Sequence, residues 1–459
     1  MLATAYLGLI VFIIFLEFFR KKAKAIDFLS LFNIIYILMY PLPAFLLDAD
    51  WRSSSSLLNF RSTLYISNIQ TGLAIFIGYF VVVLGFYSSS SQKNGGNILI
   101  KSKDNMVVLL SYFLLLLSMI SIYLYSSQYG GFVYALSNAN LIRQQADIVD
   151  TGGGLVFFKH FMVLSQLTSY LLASFLFIKK IKKRRLLLFF VFIFSIVIST
   201  IAVTMIGSRG GWITYYIVFY LVYVLQTGKF SWGFVIPFVC FISLFIVYGK
   251  PLFFSLTALP DGLGAVVEKF QEFLRNSPDE GFSFEKFMSS FVYPLHSLDA
   301  AFYTNYEPRL FVDWIYAFVT LLPERLLNDI EVPQTISYYN TYYIIGTNEY
   351  EIPTGFLAFG IYSMSWFGLI LVCFIYGWIG RYLQNILLNN IFDICWVPFL
   401  YIVIAKIWLD YFTAGDPRVL IFPNLGLFFS MILLLSLASK ITILQPQNHK
   451  KTGKKSCVR

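Results

Sequence analysis

LATAYLGLIVFIIFLEFF, residues 2–19, is followed at once by RKKAK, residues 20–24. Glu17 is the only charged residue in the first stretch. At about 1.5 Å of helical rise per residue, such a run has the reach to cross the hydrocarbon core of a bilayer. The basic cluster behind it marks a side, because lysine and arginine gather in cytoplasmic loops. Apolar first and basic second is the reverse of the secretory signal order, so the stretch reads as a retained span and not as a cleaved leader.

The rest of the chain has the same texture. Of its 459 residues 58% are hydrophobic and only 13% charged, about half the charge of a soluble domain. Mean hydropathy is +0.72. Runs of mixed Phe, Leu, Ile, Val and Tyr fit helices, and the ten-residue alternation of an outer-membrane barrel is absent. The expected fold is an all-α polytopic integral membrane protein with about eleven transmembrane helices. They fall near residues 2–19, 28–47, 64–87, 106–126, 156–178, 186–206, 211–226, 232–249, 355–380, 395–412 and 420–438. The sixth and seventh are divided only by Gly207-Ser208-Arg209-Gly210-Gly211, which predicts a tight hairpin at the membrane surface.

Basic residues then sort by loop. Arg20, Lys21, Lys22 and Lys24 follow the first span, and Lys93, Lys101 and Lys103 the third. Lys179, Lys180, Lys182, Lys183, Arg184 and Arg185 follow the fifth, and the C-terminal segment adds Lys440, Lys450, Lys451, Lys454, Lys455 and Arg459. These are alternate loops, which places the N-terminus outside and the C-terminus in the cytoplasm. The division expected is an N-terminal transmembrane bundle of about eight helices over 1–249, a large external loop over 250–354, about three C-terminal transmembrane helices over 355–438 and a basic cytoplasmic tail over 439–459. The net charge of +10 is an orientation signal and a contact for anionic lipid. Short membrane-edge clusters without a binding module argue against nucleic acid as a partner.

Cys240, Cys373, Cys395 and Cys457 lie in or beside spans or in the tail, so neither a disulfide framework nor metal-ligand spacing is present. No metal is expected, and no cofactor. Nucleotide-binding, Gly-x-Ser-x-Gly and HExxH motifs are also missing from the sequence.

The outer face holds Arg52, Arg61, Arg143, Arg209, Lys250, Lys269, Arg275, Lys286, Arg309, Arg325 and Arg418. Arginine dominates there, whereas lysine dominates inside; guanidinium pairs bidentately with phosphate, where lysine acts as a point charge. An arginine-rich outer face suits a phosphate or pyrophosphate at headgroup level. Arg143, Arg209 and Arg418 are the candidates: Arg209 among small neighbours, Arg418 in the turn Gly415-Asp416-Pro417-Arg418, Arg143 in a short amphipathic helix before Thr151-Gly152-Gly153-Gly154. The structural alternatives are a charged hairpin turn, pairing with Asp416, and a solvated helix face respectively. Inside the spans, Lys159 and His160 lie near the outer end of the fifth helix, while Lys406 and Asp410 stand at i,i+4, where they can pair.

The external loop carries apolar helical stretches at 263–273, 282–293 and 311–322, parted by Pro278, Pro294, Pro308 and Pro323. They read as short helices on the outer leaflet. Tyr338, Tyr339, Tyr342, Tyr343 and Tyr350 crowd its second half with Asn340, Asn348, Glu349 and Glu351. Aromatic faces beside amides and carboxylates suit sugars, with Tyr339, Tyr343 and Glu349 as candidate glycan contacts; the alternative is an interfacial aromatic belt. His296 with Asp299 one turn later is a candidate general base, against the alternative of a hydrogen-bonded structural histidine. Glu324, Asp329, Glu331, Glu349 and Glu351 compete for that role.

Three motifs then resemble the Wzy-type O-antigen polymerases, which join oligosaccharide repeat units of bacterial surface polysaccharides. They are Gly207-Ser-Arg-Gly-Gly-Trp-Ile-Thr214, Pro353-Thr-Gly-Phe-Leu-Ala-Phe-Gly-Ile-Tyr362 leading into Trp366 to Ile370 and Gly377 to Arg381, and Gly415-Asp-Pro-Arg418. One large outer loop late in the chain also matches. The resemblance implies a GT-C-like glycosyltransferase of the bacterial inner membrane, working without metal or nucleotide sugar. Its substrates are undecaprenyl-pyrophosphate-linked oligosaccharides, and a chain-length regulator and a flippase are implied partners in the membrane. A flippase of lipid-linked oligosaccharides is the transporter alternative, disfavoured by the long loop and the lack of repeats. An O-antigen ligase, which shares the arginines and the loop, is a second alternative.

Overall fold

The computed structural model describes residues 2–22, 24–49, 68–88, 98–143, 154–179, 184–276, 288, 291–321, 334–346 and 351–443. In chain order its main elements are α1 (Leu2–Phe19), α2 (Phe28–Asp48, broken at Tyr40–Pro41), α3 (Ile69–Tyr87), β1 (Ile98–Ser102) and α4 (Asp104–Gln128). Then come α5 (Phe132–Ser137), α6 (Ala139–Arg143), α7 (Gly154–Ile178), α8 (Arg185–Met205), α9 (Arg209–Thr227) and α10 (Trp232–Ser255). The loop contributes α11 (Leu263–Asn276), α12 (Tyr293–Tyr303), α13 (Val312–Val319) and α14 (Ile336–Ile345), followed by α15 (Phe356–Asn390), α16 (Val397–Ala414), α17 (Pro417–Ile421), α18 (Leu425–Leu437) and β2 (Ser439–Ile443).

Eight of these helices, α1, α2, α3, α4, α7, α8, α15 and α16, are long and apolar enough to cross a membrane. Helices α9, α10 and α18 stand at the other positions where the sequence places spans. The predicted hairpin at 207–211 also forms: Gly207 takes φ +68, and the Ser208 hydroxyl accepts the Gly211 N–H at 3.0 Å to cap α9. Of the loop's expected helices, 263–273 and 311–322 correspond to α11 and α13. The stretch 282–293 falls mostly outside the described residues.

Two features depart from the expected pattern. First, the chain is not wholly helical, because β1 and β2 pair antiparallel with Ile98 opposite Ile443 and Ser102 opposite Ser439. Only Lys-Ile-Thr-Ile at the end of β2 alternates polar and apolar, and each strand sets isoleucine beside an exposed lysine, as suits a half-buried ladder. Second, the span expected at 355–380 is two arms. The backbone leaves helical geometry at Met364 (φ −151°, ψ 36°) and Ser365 (φ 55°, ψ −142°). The arms lie side by side: Phe356 meets Tyr376 at 4.7 Å between ring centroids, and a Cβ on Gly368 would fall 2.2 Å from the Gly360 carbonyl oxygen. Residues eight apart in one straight helix stand about 12 Å apart, so Phe356–Ser363 is a short re-entrant arm folded against the longer one. Every residue of that arm is buried. Broken helices of this kind persist at membrane depth only where protein covers them.

Side-chain bonds gather the loops at two ends of the bundle. At one end Phe28 N–H donates to Gln384 Oε1 (2.9 Å), Ile100 N–H to Asn390 Oδ1 (2.7 Å) and Trp396 Nε1 to Ser102 Oγ (3.0 Å). Arg20 is buried there against Glu17 and Asp27, and Lys179 pairs with Asp104. At the other end Thr71 bonds Asp299, Ser337 bonds Asp416, and Gly355 N–H donates to Ala414 O at 3.0 Å. One hydrophobic core runs from Tyr6 to Ala438, so helices on both sides of the 250–354 segment form a single bundle. Helix α12 wedges between α3, α14 and α15.

Candidate functional site

The loop is fixed to the re-entrant arm by its backbone. Arg309 and Leu310 N–H groups donate to the Tyr362 and Ser363 carbonyls, each at 3.0 Å. Those carbonyls end the short arm and have no helical partner of their own. Leu310 and Phe311 adopt φ +49° and +59°, a left-handed geometry costing non-glycine residues about 1–2 kcal/mol each. This turn presents Arg309, whose Nε and Nη2 reach the Asp313 carboxylate at 2.8 and 2.7 Å while Nη2 also donates to Gln334 O at 2.9 Å. The guanidinium lies 4.9 Å over the Tyr339 ring. Tyr339 Oη accepts the Glu307 N–H at 3.0 Å. Glu307, Arg309, Tyr316 and Tyr339 line a groove of about 440 Å³.

Arg418 sits beside this groove. Its Nη2 meets Glu351 Oε1 at 2.9 Å and Asp416 Oδ2 at 3.2 Å. Asp416 is 1% exposed; its Oδ1 caps α17 by accepting the Arg418 N–H at 2.8 Å, and its Oδ2 accepts the Ser337 hydroxyl at 2.8 Å. Burial opposes the charge on Arg418, yet Asp416 and Glu351 outweigh it and raise the pKa. Arg309 is raised likewise, with Asp313 outweighing burial and Asp416 adding to the effect. These two guanidiniums are thus largely neutralised by neighbouring carboxylates.

A second cluster of cations differs. Arg143 donates from Nη1 to the Gly207 carbonyl at 2.8 Å, tying α6 to the hairpin before Arg209. It lies near enough to repel both Lys159 and Arg209. Among the described residues, no carboxylate forms an ion pair with any of the three. The Arg209 stem lies on Gly249, where an added Cβ would stand 3.3 Å from its Cδ. The clusters adjoin through α17: Phe422, bonded to Arg418 through N–H to carbonyl at 2.8 Å, packs its ring 5.6 Å from His160, next to Lys159.

Among the described residues, two apolar grooves open at this end. One, of about 470 Å³, runs between the long arm of α15, α16 and α18, with Phe311 and Trp314 closing its top. The other, of about 460 Å³, lies between α10 and α11 and includes Gly249.

The expected site residues therefore divide. Arg143 and Arg209 come together, joined by Lys159; Arg418 belongs to the neighbouring cluster, where it does pair with Asp416. Tyr339 and Tyr343 pack edge to face at 4.9 Å, and Glu349 lies outside the described residues. His296 and Asp299 are 2% and 0% exposed, on the inner side of α12 and away from both grooves' lining. Asp299 Oδ1 accepts the Thr71 hydroxyl at 2.8 Å, and burial lifts its pKa to about 7. Lys406 and Asp410 form the i,i+4 pair the spacing predicts. Glu307 and the Arg309–Asp313 pair have no role in the sequence reading, although the pair's i,i+4 spacing was a visible signal. No group of three His, Cys, Asp or Glu among the described residues could hold a metal ion.

No family model matches this chain, and no curated protein or solved structure matches it.

Proposed function

We propose that this protein is a glycosyltransferase of the bacterial inner membrane that polymerises undecaprenyl-pyrophosphate-linked oligosaccharides on the periplasmic face, for O-antigen or a related surface polysaccharide. The observation that carries this reading is the Arg143–Lys159–Arg209 cluster, three cations without a described carboxylate at the end of an apolar helix bundle. Fixed positive charge of this kind stabilises a pyrophosphate as it leaves. The topology proposed has about eleven spans, N-terminus outside and C-terminus in the cytoplasm. It is supported by the bonding of the lysine-rich loops at 20–28, 98–104 and 439–443 to one end of the bundle, away from the arginine clusters.

In the proposed reaction, the bond between the growing glycan's anomeric carbon and its pyrophosphate oxygen breaks, and the electron pair stays with the pyrophosphate. The new bond forms to a hydroxyl at the non-reducing end of the acceptor unit. Its proton passes to a carboxylate, and Glu307, exposed in the groove beside Tyr339 and Arg309, is the group best set for that transfer. His296 and Asp299 are then positioning residues, because their burial keeps them from substrate. Tyr339 and Tyr343 offer the ring faces for sugar. Holding both lipids in one belt of residues supplies proximity. A chain-length regulator and a flippase are the proposed partners in the membrane.

Deleting the gene and resolving the surface polysaccharide on a gel tests the reading. A polymerase loss leaves core carrying a single repeat unit. Bare core with long glycan held on the lipid carrier would instead indicate a ligase, and bare core with single units trapped in the cytoplasmic leaflet a flippase.

A further inference from the structure

The two apolar grooves differ in the charge at their ends. Helices α10 and α11 wall the second groove with Phe241, Leu244, Tyr248, Leu252, Phe270 and Leu274. Leu244 is 58% exposed, so the groove opens to the side, toward lipid. Helix α11 is amphipathic, with Leu263 and Val267 exposed beside Glu268, Lys269, Glu272 and Arg275, which sets the groove's mouth at headgroup level. Gly249 belongs to this groove, and the Arg209 stem lies on it. A chain lying in the groove therefore ends at Arg209, and through it at Arg143 and Lys159. The first groove ends instead beneath the turn carrying Arg309, in a belt where Asp313, Asp416 and Glu351 already answer Arg309 and Arg418.

We infer that the α10–α11 groove, with Arg143, Lys159 and Arg209, is the site of the donor lipid, and that the groove under α13 takes the acceptor lipid. This rests on the polymerase reading above and assigns its two substrates. The reason is the charge change during reaction. Breaking the glycosyl–phosphate bond adds negative charge to the donor's pyrophosphate, and cations not already neutralised stabilise that change. The acceptor's own pyrophosphate keeps its charge throughout and needs only to be held. Arg143 repels both Lys159 and Arg209, and a multiply charged anion relieves that repulsion most, which favours a pyrophosphate over the single charge of a bulk phospholipid.

The test uses the full chain in nanodiscs of zwitterionic lipid, titrated with undecaprenyl pyrophosphate and read by native mass spectrometry. Two lipids should bind. Leu244→Trp, which fills the groove, and Arg209→Gln, which removes a hydrogen bond between charged groups, should each weaken one of them by about tenfold or more. Ile375→Trp, in the other groove, should weaken the second. Undecaprenol, which has no charge, should be insensitive to Arg209→Gln. Inorganic pyrophosphate or phosphatidylglycerol displacing the lipid at equal concentration would overturn the site. In a turnover assay, Leu244→Trp should raise KM for the glycan-bearing donor and Ile375→Trp KM for the single-unit acceptor; the reverse pattern overturns the assignment and leaves the polymerase standing. If the binding pattern holds but wild-type protein forms no polymer from these substrates, the polymerase reading fails and the lipid site survives.

Discussion

The hydroxyl of Thr71, near the start of α3, donates a 2.8 Å hydrogen bond to Asp299 on α12, pinning a loop helix to a membrane helix through a carboxyl group with no exposure. The second Asp299 oxygen is buried without a hydrogen-bond partner among the described residues, and burial raises the pKa from 3.8 to about 7 despite the Thr71 bond. Between those two values the folded protein retains a proton that the unfolded chain has lost. The stability linked to this group is complete below the lower value, falls as pH rises through the window, and levels off above the upper one. Melting curves of the purified protein should show Tm falling by a few degrees more between pH 5 and pH 8 in wild type than in Asp299→Asn. Equal slopes in the two proteins would refute a neutral Asp299.

Arg309 and Asp313 form a buried, bidentate ion pair, 11% and 4% exposed at their side chains. Removing one partner strands a charge, at a cost of about 3–5 kcal/mol, whereas removing both strands none. Asp313→Ala should therefore destabilise more than the Arg309→Met/Asp313→Leu double variant. A double variant less stable than the single one by chemical denaturation would contradict this. Arg309→Lys should behave as a loss, because lysine supplies neither the fork nor the planar stack on Tyr339.

The folded-back arms of α15 depend on Gly368 lying against the Gly360 carbonyl, with no room for a methyl group. Gly368→Ala should force the arms apart and lower the yield of monodisperse protein, with a loss on the scale of overpacked cores, about 1–3 kcal/mol. Normal expression and an unchanged Tm would show that the arms are not held this closely.

Orientation can be read with single cysteines on a cysteine-free background. Lys440→Cys and Leu263→Cys both lie at exposed positions. In intact spheroplasts a membrane-impermeant maleimide should label Cys at 263 and spare Cys at 440 until the cells are opened. Labelling of 440 in intact cells would reverse the proposed topology.

The sequence made the spans legible because hydropathy and length are local properties: α1 begins and ends where the apolar run does. The reversal at Met364–Ser365 was hidden, since neither residue is glycine or proline and no charged residue marks it. The site was legible in part. Asp416 is two positions from Arg418, so their pairing was readable, whereas Glu351, the other partner, arrives from 67 positions away. Nothing local told that Lys159 would join Arg143 and Arg209, because α6, α7 and α9 meet only in three dimensions. Burial of His296 and Asp299 was equally non-local, set by α3 and α15 closing over α12.

The β1–β2 ladder joins the exit of α3 to the exit of α18. During synthesis β1 emerges early and cannot find its partner until the final helix has been made and inserted. The bundle is consequently closed like a clasped ring rather than a chain of hairpins added in turn. A chain ending before residue 439 would have every membrane helix and still lack its fastening.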